Sequence, residues 1–272
     1  MASPDAPLRF ENVTVRFGPV TALDRVNLSL DRGETVILLG SAGSGKTVLI
    51  KLGLALIHPT EGEVYLFGQA TSRLRESQLY ELRSRMGILF QEGGLFDSMT
   101  IEENVAYPLL NQKSLRCPKE DVQARVEEAL KFVELGHTLT KVPSELSGGM
   151  RRRVGIARAV VTRPELVLYD SPTAGLDPIT ATTIMTLIAK ERDMRHTTTV
   201  LATHRYQDGH LLANYRYNAN TGRLEAVSGG GEDLRTRFIV LGEGRIVFEG
   251  SQHEFEASLD PYVSKFAKRL TE

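Results

Sequence analysis

Apolar and polar residues alternate through the first thirty positions, at Leu8, Phe10, Val13, Val15 and Phe17 and again at Val26, Leu28 and Leu30. A period of two collects one set of side chains on one face, which predicts antiparallel strands with a solvated side. Thr35 to Leu39 breaks that rhythm with a continuous apolar run, as a strand covered on both faces requires. It leads into a glycine-rich turn and a helical stretch beginning near Lys46. Three more such runs, Gly87 to Phe90, Glu165 to Tyr169 and Thr198 to Ala202, each adjoin a helix-like segment, so the pattern predicts an α/β fold with a parallel sheet.

Between about Asp97 and Val161 the period lengthens. Val122, Val126, Ala129, Leu130 and Val133 recur at helical spacing after Pro118, and Gly136 is expected to stop the helix. This predicts a helical subdomain over 97–161, inserted between core segments 1–96 and 162–272 of a single domain. Tyr215 to Phe238 reads as an inserted surface hairpin. Alternating segments flank Asn218 to Gly222, and Ser228-Gly229-Gly230-Gly231 reads as a flexible joint. Phe238 to Leu241 and Arg245 to Phe248 enclose a turn at Gly242 to Gly244, and a C-terminal helix is expected over 251–272.

Composition narrows the functional classes. Among 272 residues, 33 Lys+Arg against 34 Asp+Glu give a net charge of −1, which removes the general electrostatic argument for a nucleic-acid or anionic-membrane binder. The single Cys117 excludes an internal disulfide and a cysteine-based zinc site and suits a reducing compartment. The N-terminus has neither the basic start nor the apolar stretch of a secretory signal. The most apolar segment, Thr47 to Ile57, is interrupted by Lys51 and falls short of the ~20 residues that cross a bilayer, so work at a membrane requires another chain as anchor.

The glycine-rich turn carries the first chemistry. Gly40-Ser41-Ala42-Gly43-Ser44-Gly45-Lys46-Thr47 fits G-x-x-x-x-G-K-[ST] between a buried strand and a helix. Glycines let the backbone wrap a polyphosphate, amides at the helix start donate to its oxygens, Lys46 reaches the β/γ-phosphates and the Thr47 hydroxyl suits Mg²⁺. Leu166 to Asp170 is an apolar strand ending in a carboxylate, which places an acid beside the same ion. Leu146-Ser147-Gly148-Gly149-Met150 before a helix is a second N-terminus able to receive phosphate. Arg151, Arg152 and Arg153 open that helix where cations are unfavourable, and they are expected to point into solvent rather than serve the anion.

With this last motif the chain resembles the ATP-binding subunits of ATP-binding-cassette (ABC) transporters. The resemblance runs in order through Phe17, the phosphate loop, Gln91, the Ser147 signature, the Asp170 strand, Ala174-Gly175-Leu176-Asp177 and His204. It implies a P-loop (RecA-like), mostly parallel core with an N-terminal antiparallel β subdomain and the inserted helical subdomain. It also implies ATP and Mg²⁺ as ligands. Phe17 would stack on adenine, Thr47, Gln91 and Asp170 would hold the metal, and Gln91 and His204 would position water. Ser147, Gly148 and Gly149 would meet ATP bound by another copy, in a homodimer with two ATP molecules between the chains, and Asp177 would also bind nucleotide. An integral membrane permease would dock on the Gln91–Leu109 region, with Leu95, Phe96 and Met99 as an apolar socket.

The sequence departs from the family at Ser171, where a proton-accepting glutamate usually follows the strand carboxylate. A serine hydroxyl orients water but is no base near neutral pH, and losing a general base lowers a rate by about 10²–10⁴-fold. Phosphoryl transfer rests on positioning and charge stabilisation, so slow hydrolysis is expected rather than none. Two readings remain open: a transport-driving ATPase, and an ATP-gated clamp with little turnover. The Gln91–Leu109 wording, Met150, and Asp260-Pro261-Tyr262-Val263 with Phe266 resemble the ATPases of mammalian-cell-entry (MCE) type lipid transport systems, with another importer or exporter as the alternative. That resemblance implies a peripheral location on the cytoplasmic face of a bacterial inner membrane. It makes Tyr262 and Phe266 candidate contacts with the neighbouring ATPase, unless they pack on their own chain.

Overall fold

The computed structural model describes residues 5–112, 117–227 and 235–267. The chain opens with β1 (Leu8–Phe17) and β2 (Val20–Leu30), paired antiparallel in register from Leu8 opposite Leu30 to Phe17 opposite Val20. The buried β3 (Thr35–Leu39) follows and runs through the phosphate loop into α1 (Lys46–Gly53). β4 (Glu61–Leu66) and β5 (Gln69–Ala70) return to the antiparallel sheet, whose order is β2-β1-β4-β5. After α2 (Glu76–Arg83), β6 (Met86–Leu89) enters the central sheet.

Among the described residues of 97–161 all regular structure is helical: α3 (Ile101–Asn111), α4 (Lys119–Phe132) and α5 (Gly148–Val160). α3 starts on a reciprocal cap, in which Glu103 N–H donates to Thr100 Oγ1 at 3.2 Å and Thr100 N–H donates to Glu103 Oε2 at 2.7 Å. α4 ends before the expected Gly136. Glu134 takes the left-handed conformation at φ 61°, and Leu135 N–H reaches back to Leu130 O at 2.8 Å. A helix-closing turn built on a non-glycine residue leaves no composition signal.

The rest of the core is β7 (Leu166–Asp170), α6 (Pro178–Arg195), β8 (Thr198–Thr203) and α7 (Tyr206–Asn214). The inserted hairpin comprises β9 (Tyr215–Asn218) and β10 (Arg223–Ala226). It lies on α6, where Tyr217 N–H donates to Asp193 Oδ2 at 2.7 Å and Arg192 donates to Tyr215 O at 2.8 Å. The expected insertion runs too long. Thr236 to Phe238 already belong to β11 (Thr236–Gly242), a central strand that pairs in parallel with β3 and antiparallel with β12 (Arg245–Gly250). The joint read at Ser228–Gly231 lies outside the described residues.

Among the described residues the single C-terminal helix expected over 251–272 is instead two short ones, α8 (Gln252–Glu256) and α9 (Ser264–Ala267), and 268–272 lie outside the described residues. Between them Asp260 Oδ1 accepts from the amides of Tyr262 and Val263 at 2.7 and 3.1 Å, a side-chain turn that Pro261 favours over helix.

The central sheet has the order β12-β11-β3-β8-β7-β6, parallel except at β12. Its alternate residues feed two cores. Ile37, Leu39, Val167 and Tyr169 face the helices, while Val36, Leu38, Leu166 and Leu168 face the antiparallel sheet and α1. Strands buried on both faces explain the continuous apolar runs, and they leave chemistry to the loops at their carboxyl ends.

Candidate nucleotide-binding site

The turn from β3 into α1 is shaped by steric exclusion. Gly45 sits at φ 106°, and a Cβ there would come within 2.7 Å of Ala22 O and 2.8 Å of Leu23, so no side chain is tolerated. Lys46 folds back over the loop, and its Nζ donates to Gly40 O at 2.7 Å and Ser41 O at 2.8 Å and lies 3.4 Å from Ser44 Oγ. Burial lowers its pKa from the ordinary lysine value, with the Asp170 charge opposing the shift.

At the end of β7 the Thr47 hydroxyl donates to Asp170 Oδ2 at 2.9 Å, and Ser171 Oγ lies 3.3 Å from Asp170 Oδ1. These adjacent hard oxygens are the donor type that Mg²⁺ prefers, so the loop and the strand end fit a magnesium polyphosphate. Ser171 is left-handed at φ 49°, a conformation uncommon for a residue with a Cβ, and its amide donates to Ala202 O at 2.8 Å.

A cleft of about 620 Å³ gathers Ser41, Ala42, Gly43, Lys46 and Thr47 with Gln91 from the end of β6, Ser171 and Ala174 after β7, and His204 after β8. Its remaining wall is Tyr262, Lys265 and Phe266. Tyr262 Oη donates to Leu241 O at 3.2 Å and lies 3.0 Å from Ser41 Oγ, while Val263 is fully buried and Phe266 nearly so. These residues therefore pack on their own chain, and Lys265 is a cleft residue that the sequence pattern did not single out.

Phe17 stands 54% exposed at the end of β1, outside the cleft, next to Arg16, which lines a neighbouring hollow with Thr21 and Tyr262. Ser147, Gly148, Gly149 and Asp177 are also outside the cleft of their own chain. Ser147 is exposed and caps α5 by accepting from Met150 N–H at 3.2 Å. Asp177 caps α6, accepting from the Ile179 and Thr180 amides at 3.1 and 3.0 Å, and hydrogen bonding to Thr180 and these amides holds its pKa below the usual carboxylate value. The three arginines at the start of α5 do not point into solvent. Arg151 donates to Leu146 O at 2.6 Å and Arg153 to Val133 O at 3.3 Å, while Arg152 is 8% exposed and donates to Pro172 O and Ala174 O. Carbonyls brought close by the fold satisfy these guanidinium groups. In the socket region Leu95 packs against the core, leaving Phe96 exposed against Tyr107 with ring centroids 4.7 Å apart.

Residues 23–174, more than half of the chain, match the ABC transporter family. The chain belongs to the ABC transporter family. Within that family it is an ATPase subunit whose ATP hydrolysis is coupled to transport. It is 31% identical over 261 residues to an intermembrane phospholipid transport system ATP-binding protein of Haemophilus influenzae, covering 96% of this chain and 90% of that relative. It is 40% identical over 268 residues to a methionine import ATP-binding protein of Shouchella clausii, covering 97% of this chain and 70% of that one. Among solved structures it resembles the dimeric form of a bacterial ABC transporter cassette, with TM-score 0.74 and 32% identity over 90% of this chain and 98% of that chain. A dimeric post-hydrolysis ATP-binding cassette bound to ADP and Pi is similar at TM-score 0.73 and 32% identity, over the same shares. No helix among the described residues is long and apolar enough to cross a membrane.

Proposed function

We propose that this ABC ATPase binds ATP with Mg²⁺ in the Lys46 cleft, closes on it as a homodimer and drives a membrane permease that moves phospholipid or another hydrophobic cargo. The observation that carries this reading is the meeting of the phosphate loop with the end of β7, where the Thr47 hydroxyl donates to Asp170 at 2.9 Å. Thr47 and Asp170, with Gln91 nearby, would hold the ion, whose positive charge offsets the charge of the transferring phosphoryl group. Lys46 withdraws to the phosphates from carbonyls that otherwise occupy it. Gln91 and His204 orient the attacking water, and Ser171 orients it without taking its proton.

Ser147 and Gly148 are exposed at the start of α5, and in the dimer they serve the nucleotide held by the other copy. The exposed Phe96 and Tyr107, with Leu110 58% exposed, offer an apolar surface for a permease helix within the Gln91–Leu109 region and just beyond it. On this reading the chain works at the cytoplasmic face of a bacterial inner membrane. Lipid cargo is supported by the Haemophilus relative, which aligns along nearly its whole length. The methionine-import relative, more identical over a comparable span, favours a second reading as the ATPase of a small-solute importer.

Two measurements test this. Copurification with the membrane subunits, followed by analysis of bound small molecules, should return phospholipid; methionine instead would select the second reading. Phosphate release by that complex should be slow, should vanish in Lys46→Ala, and should rise about 10²-fold or more in Ser171→Glu, which supplies the missing base. Turnover of several per second in the native complex, unchanged by Ser171→Glu, would remove the argument from the missing base.

A further inference from the structure

The loop that follows Ser171 is held from two sides by charged side chains buried outside the cleft. On one side Arg152 of α5, 8% exposed, donates through Nη1 to Pro172 O at 2.6 Å and through Nη2 to Ala174 O at 2.9 Å. On the other, Asp208 of α7, 2% exposed, accepts from Thr173 Oγ1 at 2.6 Å. The same Asp208 oxygen also accepts from Thr203 Oγ1 at 2.8 Å, and Thr203 Oγ1 in turn accepts from the Arg205 amide at 3.1 Å. His204 lies between these two residues. Thus one three-residue segment, Pro172 to Ala174, is tied through Arg152 to the signature helix and through Asp208 to the turn that carries His204.

The contacts of Arg152 and Asp208 are of the strong kind, since one partner in each is a charged side chain, and those to Pro172, Thr173 and Thr203 are buried. A buried charge left without its partners is costly, so the arrangement is held as a unit. The held segment begins one residue after Ser171, whose backbone is already in the left-handed region, and ends at Ala174 on the cleft wall. The Ala174 amide also donates to Ser171 O at 3.1 Å, so displacing the segment displaces Ser171. Desolvation lowers the pKa of Arg152, with the charge of Glu92, next to Gln91, opposing it, so the same guanidinium also lies in the field of the Gln91 loop.

We propose that Arg152 and Asp208 are positioning residues that clamp the Pro172–Ala174 segment, setting Ser171 and His204 relative to Asp170 and linking the signature helix to the hydrolytic end of the cleft. This rests on the reading of the cleft as an ATPase site. Where a general base is missing, rate depends more heavily on such positioning, because a misplacement of about 1 Å costs about 10²-fold.

The test is a double-mutant cycle with Arg152→Gln and Asp208→Asn in the full-length chain, read by kcat, by KM for ATP and by hydrogen exchange. Each single substitution is expected to lower kcat about 10-fold while KM stays within about 2-fold, because neither residue touches the phosphate loop. The double variant should be hardly slower than the worse single one, since both act through one segment. Arg152→Lys, which retains the charge but offers a single donor nitrogen, should recover part of the rate. Independently of turnover, Arg152→Gln should speed amide exchange at Thr203–Arg205, which Arg152 does not touch. Multiplicative losses in kcat, or faster exchange confined to Thr173 and Ala174, would overturn the clamp. If either single variant fails to fold, Arg152→Lys and Asp208→Glu close the same cycle. Hydrolysis in the native chain that does not depend on Lys46 would instead sink the ATPase-site reading, and the exchange experiment would still decide the clamp.

Discussion

Glu191 on α6 is fully buried, and among the described residues neither carboxylate oxygen has a hydrogen-bond partner and the nearest countercharge is Arg195 Nε at 3.6 Å. Burial pushes its pKa to about 7, with Arg195 opposing and Glu128 adding to the shift. Between the ordinary value of 4.5 and about 7 the folded chain therefore holds a proton that the unfolded chain has released. Stability must fall as pH rises through that window, by up to on the order of 3 kcal/mol if fully expressed, and the penalty is complete above about pH 7. Thermal unfolding from pH 5 to pH 8 should show this slope, and Glu191→Gln should flatten it. Equal slopes in the two proteins would refute the assignment. Such a residue is hard to find in a sequence, where Glu191 is one charge near the end of α6. The same limit separates the parts of the site. Lys46 and Thr47 were legible because their chemistry is packed into consecutive positions. Arg152 and Asp208 were not, because they meet Pro172 and Thr173 across 20 and 35 residues of chain.

At the scale of elements, α5 organises the site from outside. Gly155 lets it approach the end of β6, and a Cβ there would lie 2.6 Å from Leu89 Cδ1 and 3.0 Å from Gly93 O. Arg158, one turn further on, donates to Gly93 O at 3.1 Å and so fixes the loop that begins at Gln91. Gly155→Val should therefore destabilise the chain by about 1–3 kcal/mol through overpacking, despite removing a helix-interior glycine. An unchanged or higher melting temperature would show that α5 and the Gln91 loop are not in obligatory contact. Strand periodicity was the readable part of this architecture, because alternate residues of β3 and β7 feed two separate cores and a continuous apolar run is the only pattern that serves both. Helix ends were less readable. α4 closes on Glu134 rather than a glycine, and the C-terminal helix is split by a turn that Asp260 makes with its own neighbours.

For the whole molecule, the decisive feature is that the two phosphate-seeking elements of one chain do not meet. The Lys46 cleft is walled by Gln91, Ser171 and His204, and Ser147 is not part of it. With a net charge of −1, general electrostatic attraction does not drive two copies together, and in the proposed dimer the nucleotide would supply local attraction between them. In the proposed C2 homodimer each site would be built from Lys46 of one copy and Ser147 of the other. This predicts complementation. Lys46→Ala and Ser147→Arg chains should each be inactive alone, because each spoils both sites of its own dimer. In a mixed dimer the two defects fall in one site, and the other site receives an intact Lys46 from one chain and an intact Ser147 from its partner. Equal mixing puts about half of the dimers in the mixed form, so activity should return to about a quarter of the native level if the sites work independently. Mixed dimers that assemble with ATP, as seen by light scattering of differently tagged chains, yet hydrolyse none of it would mean that Ser147 does not act across the interface.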